Sequence, residues 1–121
     1  MKEVLAIIQM NKMEATKNAL DVIGIPSITA YKVSGRGKQR GLQLSHYSTM
    51  AELAEADRKN MKYIPKRMIS IMVEDEFVPA VVAVITKVNR TGNFGDGRIF
   101  VCPIDESIRI RTGERGNEAI S

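Results

Sequence analysis

Apolar residues run without a break through Val4, Leu5, Ala6, Ile7 and Ile8, the pattern of a short strand covered on both faces. Asn11 follows as a candidate helix N-cap, with Glu14 three residues on completing a capping-box-like pair. Thr16, Ala19, Leu20 and Ile23 recur at i, i+3, i+4 and i+7, which predicts an amphipathic helix, and Gly24 ends it. Residues 28–33 alternate toward a second strand. The order is then written again, with a strand over 68–73, a helix over about 77–88 and a strand over 98–104. The second helix rests on the spacing of Val78, Val81, Val82, Ile85 and Val88, against the β propensity of those residues. Pro79 fits a first helical turn, where its missing N–H removes no bond.

Two β-α-β halves predict an α+β, ferredoxin-like arrangement: a four-stranded antiparallel sheet with two helices on one face. Ile69, Ile71 and Val73 can face the helices, which leaves Met68 and Met72 on the other face beside apolar residues of the first strand. Two helices cannot cover both faces of a sheet, so the open apolar face is expected to pack against other subunits. The connection between the second and third strands, residues 38–62, is polar and far longer than a normal strand connection. Within it, residues 48–60 can form a short helix capped by Ser48 or Thr49, and its length points to a functional loop, mobile until something orders it. One domain is expected over residues 1–121, with a short polar tail from residue 114 that is a candidate for disorder.

Composition narrows the partners. The chain has 44% hydrophobic and 26% charged residues, enough apolar surface to exclude a disordered tail protein. No apolar run approaches the ~20 residues of a membrane span, so membrane insertion is not expected. Cys102 is the only cysteine, which excludes an internal disulfide and fits a reducing, cytoplasmic setting. With His46 as the only histidine, a zinc site within one chain is not expected either. The charge is 18 basic against 14 acidic residues, net +4, which favours an anionic partner. Aromatics are 5% with no Trp, a poor supply of stacking platforms, so small anions are expected rather than nucleic acid. A basic nucleic-acid-binding ferredoxin-like domain is the alternative of another class, separable by salt-dependent binding to generic DNA.

Three segments carry candidate chemistry. In Gly35-Arg36-Gly37-Lys38-Gln39-Arg40-Gly41, glycines let backbone N–H groups approach a ligand while basic side chains add charge; a flexible basic hairpin base has the same texture. In Thr91-Gly92-Asn93-Phe94-Gly95-Asp96-Gly97-Arg98-Ile99-Phe100, a glycine-rich turn leads from helix to strand without P-loop spacing; a tight turn with Asp96-Gly97 at its tip is the plain alternative. In Ile108-Arg109-Ile110-Arg111-Thr112-Gly113, alternation sets Arg109 and Arg111 on one face of an extended segment, a two-pronged clamp for polyphosphate or simply a basic edge strand.

Together with the Pro65-Lys66 pair opening the third strand, the order and placement of these motifs resemble the PII family of nitrogen signal-transduction proteins, over essentially the whole chain except the middle of the loop. The resemblance implies a trimer of ferredoxin-like subunits whose intersubunit clefts take ATP and ADP in competition. Carried onto this chain, Gly95, Asp96, Gly97 and Arg98 would cradle phosphates, with Arg109 and Arg111 reaching in as cations. Thr29 would contact adenine, and Gly37, Lys38 and Gln39 would border the phosphates. The resemblance also implies sensing of 2-oxoglutarate through Mg-ATP. Gln39 would be a ligand of Mg²⁺, Lys66 would pair with a carboxylate of the acid, and Gln39, Arg40, Gly41 and Gly95 would complete the pocket. A hard ion that joins the two ligands through oxygen requires that each favour the other's binding by the same factor. No nucleophile with an adjacent base is evident, so a sensor and switch is expected, not an enzyme.

Several positions depart from the family pattern. Gln9 stands where many relatives carry a basic residue near the 2-oxoglutarate pocket, Arg36 where an aromatic is frequent, and Lys38 and Arg98 exchange lysine and arginine relative to common members. Tyr47 and Tyr63 are not in the tyrosine modification context of the family, so uridylylation is not carried over. The extended loop and its Ile64-Pro65-Lys66-Arg67 exit look like the second of two PII-like proteins encoded beside nitrogenase genes. That implies dinitrogenase and a sister PII-like chain as partners, in a homotrimer or a mixed oligomer, with inhibition relieved by 2-oxoglutarate and ATP. An ammonium transporter or glutamine synthetase is the alternative target within the family.

Overall fold

The computed structural model describes residues 1–35 and 64–120. Strand β1 (Lys2–Gln9), helix α1 (Met13–Val22), β2 (Thr29–Gly35), β3 (Ile64–Val73), helix α2 (Val78–Asn89) and β4 (Arg98–Pro103) follow in chain order. They build one four-stranded sheet in the order β2-β3-β1-β4 with every neighbouring pair antiparallel, the expected ferredoxin-like double β-α-β. The register pairs Val4 with Ile71 and Ala6 with Ile69, so these side chains share a face. That face is closed by the helices: Val4, Ala6, Ile8, Ile69, Ile71 and Val73 are buried together with Leu20 of α1 and Val81 and Ile85 of α2. A one-residue slip of β3 would expose its isoleucines, so burial fixes the register that places Lys66 opposite Gln9.

Both helices are led by a short 3-10 turn and carry no side-chain cap. A 3-10 turn, Met10–Lys12, precedes α1, and Lys12 is the N-cap with no side-chain hydrogen bond. Asn11 therefore lies inside a turn whose backbone already carries the chain off β1, which corrects the capping expectation; Glu14 pairs with Lys17 at 3.2 Å instead. Gly24 does end the helix, donating its N–H to the Asp21 carbonyl at 3.0 Å with φ of 87°. In α2, Pro79 occupies the first turn as expected. Asn89 closes that helix from within the core. Its Nδ2 donates to Thr16 Oγ1 at 3.0 Å and to the Ile85 carbonyl at 2.9 Å, while the Thr16 hydroxyl donates to the Lys12 carbonyl at 2.7 Å. This buried chain ties α1 to α2 and fixes where the following glycine loop begins.

The other face of the sheet carries Leu5, Ile7, Tyr31, Met68, Met72 and Phe100, with Met72, Phe100 and Tyr31 exposed by 41%, 45% and 48%. It is the open apolar face that the alternation of β3 predicts. The C-terminal segment departs from expectation. An isolated bridge pairs Ile108 with Arg115, a short helix α3 (Asn117–Ile120) follows and lies against β3, and Arg115 pairs with Glu106. The tail expected to be disordered is folded back on the domain by these contacts. Residues 38–62, with the predicted helix over 48–60, lie outside the described residues. No described helix is long and apolar enough to cross a membrane.

Candidate functional site

The loop from α2 to β4 is organised by a carboxylate. Asp96 accepts from the Thr91 N–H at 2.7 Å, from the Gly92 N–H at 2.9 Å and from the Thr91 hydroxyl. Three donors converging on one side chain four and five residues away draw the loop into a closed ring. The Thr91 hydroxyl, with the Thr91 and Gly92 N–H groups behind it, holds the Asp96 carboxyl below its ordinary value of 3.8. A lowered folded value means that this contribution to stability is present above the unfolded value and is lost as pH falls through the folded one. Thr91→Val removes the largest cause and should raise the Asp96 value toward the ordinary one in an NMR titration. An unmoved titration would show that the backbone donors alone set it.

Glycine at position 97 is required by packing. Its φ is +110°, and a Cβ there would stand 1.8 Å from the Ile7 carbonyl oxygen of β1. The loop backbone therefore lies directly against the end of the sheet, and Arg98 starts β4 from that anchor. On the open-face side the loop is met by two donors. Lys66 Nζ donates to the Gly95 carbonyl at 2.8 Å and Gln9 Nε2 donates to the same oxygen at 3.2 Å. Lys66 is only 7% exposed, and burial pushes its ammonium below the ordinary value of 10.5, partly countered by the Asp96 charge. On the helix side a cavity of about 350 Å³ adjoins the loop, lined by Ile8, Val82, Ile85, Asn89, Arg98 and Ile99, with Arg90 also on its wall.

The fold thus brings Lys66, Gly95, Asp96 and Gly97 together, with Arg98 at the exit of the loop. It does not bring Thr29 there: Thr29 begins β2, at one edge of the sheet, while Arg98 begins β4 at the other. Three strand spacings separate those edges, roughly 14 Å. For Arg109 and Arg111 the expected extended segment is corrected. They do not lie on an extended strand but in a turn closed by the Gly113 N–H donating to the Arg109 carbonyl at 2.7 Å. Period-two alternation does not apply in a turn, so the two side chains are not paired prongs. Arg109 is held inside the C-terminal fold, donating from one Nη to Glu114 Oε1 and from the other to the Glu118 carbonyl, both at 2.9 Å. Gly37, Lys38, Gln39, Arg40 and Gly41 lie outside the described residues.

Comparison with known proteins agrees with this construction. The family model described as "Nitrogen regulatory protein P-II" matches residues 1–114, which include every strand and the glycine loop. The chain belongs to the PII family. It is 52% identical to the "nifHD region GlnB-like protein 2" of Methanothermococcus thermolithotrophicus, across 99% of this chain and 98% of that one. It is also 52% identical to the nifHD1 region GlnB-like protein 2 of Methanosarcina barkeri, across 99% of each. A more distant relative, the nitrogen regulatory protein P-II of Azospirillum brasilense, shares 38% over 99% of this chain and all of that one. Among solved structures, Arabidopsis thaliana PII bound to citrate aligns with a TM-score of 0.76 at 31% identity, covering 99% of this chain and 89% of the other. PII proteins are regulators of nitrogen metabolism, and this chain resembles those of nitrogen-fixation regions.

Two features of this PII chain escaped the motif reading. Gln9 was legible only as a departure from the family pattern, and nothing in the sequence signals that its amide bonds the Gly95 carbonyl. Asn89 and Arg90 border the cavity without belonging to any motif; the burial of a polar residue at the end of an apolar helical stripe was the one available hint.

Proposed function

We propose that this PII protein senses nitrogen status by binding ATP or ADP at the 95–98 loop and 2-oxoglutarate at Lys66 in the presence of Mg-ATP, and that it controls nitrogenase through residues 47–62. The observation that carries the ligand reading is the buried Lys66 ammonium held against the glycine loop at 2.8 Å. A desolvated cation beside loop backbone is suited to a carboxylate adjoining a phosphate, because charge-assisted bonds there are stronger than in water. The citrate-bound Arabidopsis relative supports it as a family case in which a small polycarboxylate is bound. The site's donors are cations and amides, and among the described residues no three His, Cys, Asp or Glu converge. In this reading the Gln39 amide oxygen would help hold Mg²⁺, which as a hard ion prefers oxygen donors. The metal would supply the link between nucleotide and 2-oxo acid, so that each favours the other's binding by the same factor.

The opposite placement of Thr29 and Arg98 supports an intersubunit site. Copies packed on the open apolar face would bring the Thr29 edge of one sheet toward the Arg98 edge of another, and that face gives them a surface to bury. A trimer, from this chain alone or with a sister PII-like chain, is the assembly that the family resemblance supplies for this reading. Nitrogenase as the target follows from the likeness to nitrogen-fixation region proteins. Deleting residues 47–62 should abolish inhibition of dinitrogenase, assayed with the sister chain present, while leaving ATP binding intact. Undiminished inhibition by the deleted protein would overturn the loop's role.

A further inference from the structure

Two side chains donate to one oxygen at the loop. The Gly95 carbonyl accepts from Lys66 Nζ at 2.8 Å and from Gln9 Nε2 at 3.2 Å, and its two lone pairs accommodate both. Gln9 and Lys66 are directly opposite each other across β1 and β3, so their side chains leave the sheet together on the same face. We infer that Gln9 is a positioning residue: its amide keeps the Gly95 carbonyl bonded when the Lys66 ammonium turns to a ligand's carboxylate. The inference rests on the proposed role of Lys66 as the carboxylate-binding cation.

The physical reason is the asymmetry between a weak bond and a missing one. A carboxylate attracts an ammonium more strongly than a neutral carbonyl does, so Lys66 is the donor that moves. Were it the only donor, its departure would leave a half-buried carbonyl without a partner, a loss larger than the gain from an ordinary neutral hydrogen bond. The Gln9 amide is uncharged and is drawn to the carboxylate less strongly, so it stays on the carbonyl. Labour is divided between the two: the amide holds the loop and the ammonium meets the ligand. A basic side chain at position 9 would combine the two tasks by supplying a second ammonium. Because Gly97 seats the same loop on the Ile7 carbonyl, the loop does not have to move for the exchange to occur.

The test compares wild-type protein with Gln9→Met, which keeps length and loses the donor, and with Gln9→Lys, which restores a donor. Isothermal titration gives two affinities for each: Mg-ATP alone, and 2-oxoglutarate on protein saturated with Mg-ATP. Gln9→Met should weaken 2-oxoglutarate about tenfold, equivalent to about 1.4 kcal/mol, with the Mg-ATP affinity unchanged. Gln9→Lys should recover the lost affinity. Unaltered 2-oxoglutarate affinity in Gln9→Met overturns the inference, and so does an equal loss of Mg-ATP affinity, which would mark general damage to the loop. Wild-type protein that binds Mg-ATP but no 2-oxoglutarate would instead bring down the reading of Lys66 on which the inference stands.

Discussion

Lys66→Met is expected to abolish 2-oxoglutarate binding while leaving Mg-ATP bound. The side chain is 7% exposed and its amine is placed against the Gly95 carbonyl at 2.8 Å, so a carboxylate arriving there meets a cation already stripped of most of its water. Removing one partner of a buried, hydrogen-bonded charge pair costs about 2–5 kcal/mol, roughly 30- to 4000-fold in affinity. Titration calorimetry of the variant should show no heat for 2-oxoglutarate at concentrations that saturate the parent. Wild-type affinity in Lys66→Met would exclude the lysine as the carboxylate's partner. The pH dependence has a definite sign. Burial lowers the Lys66 value below 10.5, so binding of a carboxylate should weaken with rising pH earlier than an ordinary lysine allows. Folding stability moves the other way across the interval between the folded value and 10.5, where the unfolded chain binds the extra proton and stability rises with pH.

Gly97→Ala carries the second large effect, and it should strike fold and site together. A Cβ at this position would meet the Ile7 carbonyl oxygen at 1.8 Å, and the atom it meets is backbone of a central strand, which cannot swing aside. The φ of +110° adds a conformational cost of about 1–3 kcal/mol before any clash is counted. The loop must lift from the end of β1, carrying the Gly95 carbonyl away from Lys66 and Gln9. Thermal unfolding should show a Tm lowered by several degrees, at about 4 °C for each kcal/mol in a domain of this size. Nucleotide affinity should fall with it. Gly92→Ala is the control: its φ is +88° but nothing lies within 4 Å of the added Cβ, so it bears the conformational cost alone. Equal behaviour of the two variants would mean that the Ile7 contact is not what seats the loop.

Much of the fold was legible because burial on one face writes itself into the chain. Ile69, Ile71 and Val73 alternate with Met68, Ser70 and Met72, and the structure divides them between the helix side and the open side as that alternation requires. In α2 the spacing of Val81 and Ile85 outweighed the β propensity of a valine-rich segment, since both are buried under the helix. What could not be read were contacts made by backbone. Asn11 has the composition of a cap, yet a 3-10 turn had already used the local backbone groups and the side chain had no role left. Arg109 and Arg111 alternate in sequence, but Gly113 allows a turn whose bond to the Arg109 carbonyl removes the strand. For the candidate site, the glycine loop and Lys66 were legible as motifs. The oxygen that joins them, the carbonyl of Gly95, accepts a bond from a glutamine 86 positions away and has no signature in any side chain.

The central claim is that the acid is sensed only through a nucleotide and a metal. Its most direct test is a calorimetric titration of 2-oxoglutarate into the purified protein under three conditions: with Mg-ATP, with Mg-ADP and without nucleotide. The account predicts binding with Mg-ATP alone, because the γ-phosphate that ADP lacks would be the group placed to hold Mg²⁺ beside the acid. Equal binding in all three conditions, or none in any of them while Mg-ATP itself still binds, would contradict it.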